Sequence, residues 1–217
     1  MPERGRRGPK AGPARPSPSP VPATRPTGAP GRAAESPTPL PELSELLKEP
    51  IQGPARILFL DLDGTLSDGV IAYDSVGDAR NFWVRDGLAL QWARDLQVLP
   101  VVISGRTSKA ALLRMEDLSL EHYFGVSDKV EVAERVVARE KARWEQCVMV
   151  GDDLPDVPLL KRVGWPIAVA NAVREVKVIA RTVTGARAGY GAVREVVEMV
   201  LRHNGTWEQV LKRYGVL

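Results

Sequence analysis

The sequence predicts an α/β fold built on a doubly wound, mostly parallel sheet. Three observations point to it. Short apolar runs recur at residues 56–61, 98–104, 147–151 and 166–170, each bounded by Gly, Ser, Asn or Asp. Stretches with helical spacing of apolar residues lie between them. The runs are apolar nearly throughout rather than alternating, as strands covered on both faces are.

Taken in order, the chain opens on a segment of different character. Thirteen of its 18 prolines fall in the first 50 residues, with eight Lys+Arg and few large apolar side chains. Such a segment lacks donors and buriable surface, so residues 1–38 are expected to be a disordered Pro/Arg-rich tail. Residues 39–53 are expected to form a short linker or helix, and residues 54–217 a single domain. The tail has no apolar centre of a secretory signal, and no apolar run approaches the roughly 18 residues of a membrane span. The remaining 167 residues carry 22 acidic and 22 basic side chains, which argues against a nucleic-acid partner. A single cysteine, Cys147, in an apolar run suggests a buried thiol rather than a disulfide. A cytoplasmic protein with no membrane contact is expected.

The first strand runs into "ILFLDLDGTLSDG" (57–69), placing Asp61, Asp63 and Asp68 at and after its end. Residues 70–84, "VIAYDSVGDARNFWV", have two short β-like runs about a turn signal and are expected to project as a small β-hairpin. With a hairpin and a helix between Asp61 and the next strand end, no separate cap domain fits. The helix "DGLALQWARDLQ" places Leu88, Trp92 and Leu96 on one stripe. The second strand ends in Ser104, Gly105 and Arg106. Lys129 opens the helix "DKVEVAERVVAREKA", with Val130, Ala133 and Val137 on its inner face. The third strand is followed by Asp152, Asp153 and Asp156. "AVREVVEMVLRH" forms a last helix with Ala192, Val193, Val196, Val197 and Val200 inward.

In such sheets ligands bind beyond the carboxyl ends of the strands, where these residues converge. Clustered carboxylates cannot all stay ionised without compensation, and oxygen-only ligands favour a hard divalent cation such as Mg²⁺ over zinc. Side chains at i and i+2 of a strand share a face, so Asp61 and Asp63 reach one pocket. A nucleophilic carboxylate, a cation, Lys129 and a hydroxyl suit a phosphoryl group.

"DLDGTLSDG", "ISGR", "SDK" and "GDDLPD" resemble, in order, the four motifs of the haloacid dehalogenase superfamily of phosphatases. "FWVRDGLAL", "YFGVSDK" and "GYGAVREVVEMVL" are similar to its 3-deoxy-D-manno-octulosonate 8-phosphate phosphatase subfamily, over about residues 56–205. The resemblance implies a capless, Rossmann-like haloacid dehalogenase core. It implies an Mg²⁺-dependent phosphomonoesterase working through an aspartyl-phosphate in lipopolysaccharide precursor biosynthesis. Asp61 would be the nucleophile and a metal ligand, and Asp63 the general acid/base, binding metal through its main-chain carbonyl. Asp152 would be a metal ligand, and Ser104 and Lys129 would hold phosphoryl oxygens. Trp83, Val84, Arg85, Asp86, Gly87, Arg106 and Arg114 would contact the sugar acid, with Asp63 and Lys129 at its phosphate end. Asp153 and Asp156 would support the ligands, or cap the helix that follows. A homotetramer is implied, its neighbouring hairpins and C-terminal segments closing each site and giving Val70, Ile71, Phe82 and Trp83 their only partners. Trp83 stands where the family has a small polar residue, and Ala89 where it has Gly. Another 2-keto sugar acid phosphate, such as a nonulosonate 9-phosphate, therefore stays open as substrate. A catalytically silent binding module is the other alternative, disfavoured by the presence of both Asp61 and Asp63.

Overall fold

The structure, a computed structural model, describes residues 51–217 except 52, 74 and 76. The expected tail and nearly all of the expected linker lie outside these residues.

Six parallel strands form the sheet: β1 (Ile57–Leu60), β4 (Leu99–Ser104), β5 (Glu121–Phe124), β6 (Cys147–Gly151), β7 (Trp165–Ala168) and β8 (Thr182–Val183), while β2 (Ala72–Tyr73) and β3 (Asp78–Ala79) pair separately as an antiparallel hairpin. The order is β5-β4-β1-β6-β7-β8, with Ile57 opposite Leu99 on one side and Cys147 on the other. The chain winds outward from β1 first through β4 and β5, then back past it through β6 to β8. The direction reverses at β1, so the crevice beyond its carboxyl end is where such a sheet binds ligands. All four side chains of β1 are fully buried, as the unbroken apolar run requires. Cys147 is also buried there, and burial pushes its thiol up to about 12, which leaves it inert.

The helices are α1 (Val84–Asp95), α2 (Lys109–Leu118), α3 (Lys129–Arg139), the single turn α4 (Val157–Leu160), α5 (Arg174–Ile179), α6 (Ala192–His203) and α7 (Trp207–Arg213). In α6 the expected residues are all buried. In α1 the expected stripe holds for Trp92, which is buried, and for Leu96, which packs against the core, but not for Leu88. Leu88 lies at the surface, while Asp86, Gly87, Ala89, Leu90, Trp92 and Ala93 are buried. This helix packs against both α6 and β4, and close approach on two sides selects small residues over the large stripe that apolar spacing picks out. In α3, Val130 is only half-buried, and Val132, Ala133, Val136 and Val137 form the inner face.

Two strands went unanticipated, and both lie at sheet edges. The sequence of β5, "EHYF", carries charge, as edge strands do. Its Glu121 takes both terminal nitrogens of Arg139 at 2.9 and 2.8 Å. β8 is two residues long.

The hairpin forms as expected, with Ala72 opposite Ala79 and Tyr73 opposite Asp78. Asp68 ties its base, accepting from the Val70 amide at 2.9 Å and the Asn81 side chain at 3.0 Å. The expectation that its apolar residues find partners only between subunits is corrected for two of them. Phe82 packs on the chain's own core beneath the Arg114 guanidinium, and Trp83 meets the Tyr190 ring at 5.8 Å. Among the described residues no helix is long and apolar enough to cross a membrane.

Candidate active site

The carboxyl ends of β1, β4 and β6 and the start of α3 enclose a cavity of about 260 Å³. Asp61, Asp63, Ser104, Arg106, Lys129, Asp152, Asp153 and Asp156 all line it, so eight residues singled out in the sequence do converge.

Asp61 ends β1, 7% exposed, and the chain turns at once through Leu62–Leu66. Gly64 makes that turn possible. Its φ is +94°, and a Cβ there would overlap the Asp152 carboxylate. Asp61 therefore faces Asp152 and Asp156, and one carboxylate oxygen from each lies within 4.8 Å of the others. Lys129 Nζ, buried at the first turn of α3, donates to Asp61 Oδ1 and, at 2.6 Å, to Asp156 Oδ1. Asp156 Oδ2 accepts from the Asp152 and Asp153 amides at 3.0 and 3.4 Å. Both oxygens of Asp156 are thus committed, which makes it the anchor of Lys129 and of the loop after β6. Asp153 caps the turn at Leu154, accepting from its amide at 2.7 Å. Asp152 accepts from Thr65 Oγ1 at 3.4 Å through Oδ1. Ser104, 2% exposed at the end of β4, faces the same cavity.

The electrostatics follow from the crowding. Burial pushes the Asp61 carboxyl up to about 8; Lys129 opposes this, and the Asp156 and Asp152 charges reinforce it. Burial, then the Asp156 and Asp153 charges, push Asp152 up to about 7. Burial works to lower the Lys129 pKa, but the Asp61 and Asp156 charges outweigh it and hold the ammonium above its usual range. One buried cation among three carboxylates leaves the cluster short of positive charge. An all-oxygen donor set with that deficit fits a hard divalent cation.

Asp63 is arranged differently. Its carboxylate turns away from this trio toward the hairpin, where Arg80 grips it with two donors, Nε to Oδ1 at 2.6 Å and Nη2 to Oδ2 at 3.1 Å. Arg106 Nε stands 3.8 Å from the same carboxylate, and Arg106 Nη2 donates to the Tyr73 hydroxyl at 2.9 Å. Sequence reasoning missed Arg80 and Tyr73. The available signal was an arginine in a hairpin expected to project beside D-x-D, although Asp78 of the same hairpin also pairs with it.

The structure brings several expected substrate contacts elsewhere. Val84 and Arg85 are exposed on α1 and do not line the cavity, and Trp83 lies beside Tyr190. Arg114 pairs with Asp117 at 2.7 Å, and Gly87 leaves the room its guanidinium occupies. Asp86 is fully buried and accepts from the Arg194 amide at 2.7 Å and the Gly191 amide at 3.3 Å. "VRDG" and "GYGAVREV" thus meet each other, Asp86 capping the start of α6, and within one chain Asp86 has no access to the cavity. Burial pushes Asp86 up to about 6, against the pull of those two amides. Asp86→Ala is expected to cost about 2 kcal/mol, the penalty of orphaning buried amides. That should lower the melting temperature by roughly 4–8 °C while sparing turnover per folded molecule. Lost turnover at unchanged melting temperature would return Asp86 to the substrate site.

Comparison with known proteins defines the class. A model of haloacid dehalogenase-like hydrolases matches residues 108–196. The 3-deoxy-D-manno-octulosonate 8-phosphate phosphatase of Yersinia pestis is 36% identical over 148 residues, 67% of this chain and 79% of that protein. The crystal structure of the enzyme of the same name from Moraxella catarrhalis, in complex with magnesium, phosphate and a KDO molecule, superposes with a TM-score of 0.71 at 30% identity. It covers 73% of this chain and 92% of the other. The cobalt-bound Haemophilus influenzae phosphatase gives a TM-score of 0.69 at 31% identity, over 73% and 94%. The chain belongs to the 3-deoxy-D-manno-octulosonate 8-phosphate phosphatase family of these hydrolases. It is an enzyme, a phosphatase acting on phosphomonoesters.

Proposed function

We propose that this chain hydrolyses the terminal phosphate of 3-deoxy-D-manno-octulosonate 8-phosphate, with Mg²⁺ as its cation. The observation that most supports the chemistry is the division of carboxylates. Asp61 sits in the charge-deficient cluster with Asp152 and Asp156, while Asp63 lines the same cavity outside that trio, paired with Arg80.

In this reading an Asp61 oxygen attacks phosphorus, and the bond to the sugar oxygen breaks. Asp63 gives that oxygen its proton. Asp63 then takes a proton from water, whose oxygen displaces Asp61 from phosphorus and releases inorganic phosphate. Lys129 Nζ and Ser104 Oγ bind the phosphoryl oxygens. Carboxylate oxygens of Asp61 and Asp152 and the main-chain carbonyl of Asp63 would hold Mg²⁺, which supplies neutralising charge to phosphate and nucleophile. The substrate carboxylate needs a separate cation, and Arg is suited to a two-point grip. Arg106 lines the cavity and its side chain is 57% exposed, so it is the available partner within the chain. Arg85 and Arg114 do not line it.

Phosphate release from sugar-acid and neutral sugar phosphates, with and without Mg²⁺, tests the reading. The octulosonate 8-phosphate should be turned over best and a neutral hexose phosphate poorly. Arg106→Ala should raise KM for the sugar acid by about 10-fold or more, the loss of a charged hydrogen bond. It should change KM for 4-nitrophenyl phosphate far less. Preference for a nonulosonate 9-phosphate would reassign the substrate, and equal use of neutral sugars would reject the subfamily reading.

Assembly as a homotetramer is part of the same proposal. Val70, Tyr73, Trp83 and Tyr190 are 62%, 72%, 38% and 57% exposed, which supports a partner surface near the hairpin. A fully active monomer in solution scattering would contradict it.

A further inference from the structure

We infer that Arg80 is a positioning residue that holds Asp63 out of the cation cluster and aims it for proton transfer. This rests on the role proposed above for Asp63. Three features of the structure lead to it. The Arg80 side chain has no exposed surface, although it comes from a projecting hairpin. Its Nε and Nη2 take one oxygen each of Asp63, the two-point grip that fixes a carboxylate in orientation as well as place. Its remaining nitrogen, Nη1, is itself anchored, donating to Asp78 in the hairpin and to Ser108 Oγ at the start of α2. The guanidinium is thus held from two elements before it holds Asp63.

The need for such a device follows from the spacing. Asp63 is two residues from Asp61, on the same short turn, beside a cluster that lacks positive charge. A freely rotating Asp63 carboxylate would be drawn to any cation bound there and would become one more ligand. A ligand carboxylate cannot shuttle a proton to the leaving oxygen. With Arg80 in place, the carboxylates of Asp61 and Asp152 face the cation position, Asp156 anchors Lys129, and the carboxylate of Asp63 is reserved. Lysine would supply the charge without the planar fork.

The effect is read from how much the leaving group needs a proton. The 8-phosphate of the octulosonate leaves as an alkoxide and needs one, whereas 4-nitrophenolate leaves without it. Arg80→Ala is expected to lower kcat on the sugar-acid phosphate by about 30–100-fold, with KM little changed, because misaimed groups lose catalysis by such factors. On 4-nitrophenyl phosphate the first step, read as the pre-steady-state burst of nitrophenolate, should slow at most about threefold, since its leaving group needs no general acid, whereas steady-state turnover falls for both substrates because the water step still uses Asp63. Arg80→Lys should lie between Arg80→Ala and wild type on the sugar-acid phosphate. Equal losses in the first step on both substrates, each read in a single turnover, would mean that Arg80 only docks the hairpin and would overturn the inference, as would Arg80→Lys matching wild type. Asp63→Asn is the reference. It should show the same leaving-group split of the first step in stronger form, with the water step slowed on both substrates, and its failure to do so would overturn the role of Asp63 itself. If Arg80→Ala does not fold, the Arg80→Lys comparison decides.

Discussion

Asp61→Asn is expected to stop turnover, by about 10⁴-fold or more, as loss of a covalent nucleophile does. The amide occupies the same space at the end of β1, but its nitrogen and oxygen do not attack phosphorus. The fold should survive the change. Asp61 is a buried carboxyl beside two others, and desolvation already works against its charge. A neutral amide removes that conflict, so the metal-free variant should melt no lower than the parent. Lys129 keeps its 2.6 Å contact with Asp156 and is not left alone in the interior. Phosphate release assays with a melting curve check both halves. Residual activity within about tenfold of the parent would exclude Asp61 as nucleophile, because acid–base or electrostatic roles elsewhere could then supply most of the rate. A melting temperature far below the parent would instead show that the carboxylate is needed by Lys129 for folding.

How much of this was legible in the sequence differs by residue. Strand ends were legible because buried parallel strands are apolar throughout, so the first polar residue after each run marks the rim of the site. That placed Asp61, Ser104 and Asp152 correctly without any structure. Lys129 was legible for a related reason, as a charged residue at a helix start facing the same rim. The edge strands were not, because Glu121–Phe124 must stay polar on the side that has no neighbour. In α1 the spacing picked out Trp92 and Leu96 but not Ala89 and Ala93, which are buried for their smallness, a property hydrophobic spacing does not score. Asp86 was expected at the sugar acid because its segment resembles the family's substrate-contacting positions, and within this chain it caps α6 and does not line the cavity. Only the tertiary approach of α1 and α6 reveals the amides it caps. Arg80 was hard to read because the hairpin offers it Asp78 as a near partner, and its reach to Asp63 depends on the hairpin folding back over the turn after β1. Pairing across a hairpin is set by how the hairpin folds back, and neither residue's neighbours in sequence encode that.

Removing the divalent cation is expected to abolish turnover and to destabilise the protein in a pH-dependent way. The sign follows from the two raised carboxyls. Asp61 is pushed up to about 8 and Asp152 to about 7, both from 3.8. Acids raised in the fold favour the protonated protein. Their contribution to stability is full below about pH 4, is lost as pH rises, and is gone above about pH 8. The metal-free protein should therefore lose melting temperature between those limits. A divalent cation reverses the balance, because it binds the ionised carboxylates and competes with protons for them. At pH 5.5 most of the cluster is protonated and the cation has little to hold; at pH 8.5 it meets the full charge. Saturation at 100 times the dissociation constant stabilises by about 2.7 kcal/mol. For a domain of this size that corresponds to a rise of roughly 5–10 °C. Melting curves in chelator and in excess MgCl₂ at the two pH values would measure it. The gain at pH 8.5 should clearly exceed that at pH 5.5. A larger gain at the lower pH, or a metal-free melting temperature flat across the range, would mean that Asp61 and Asp152 are not the groups the cation and the proton share.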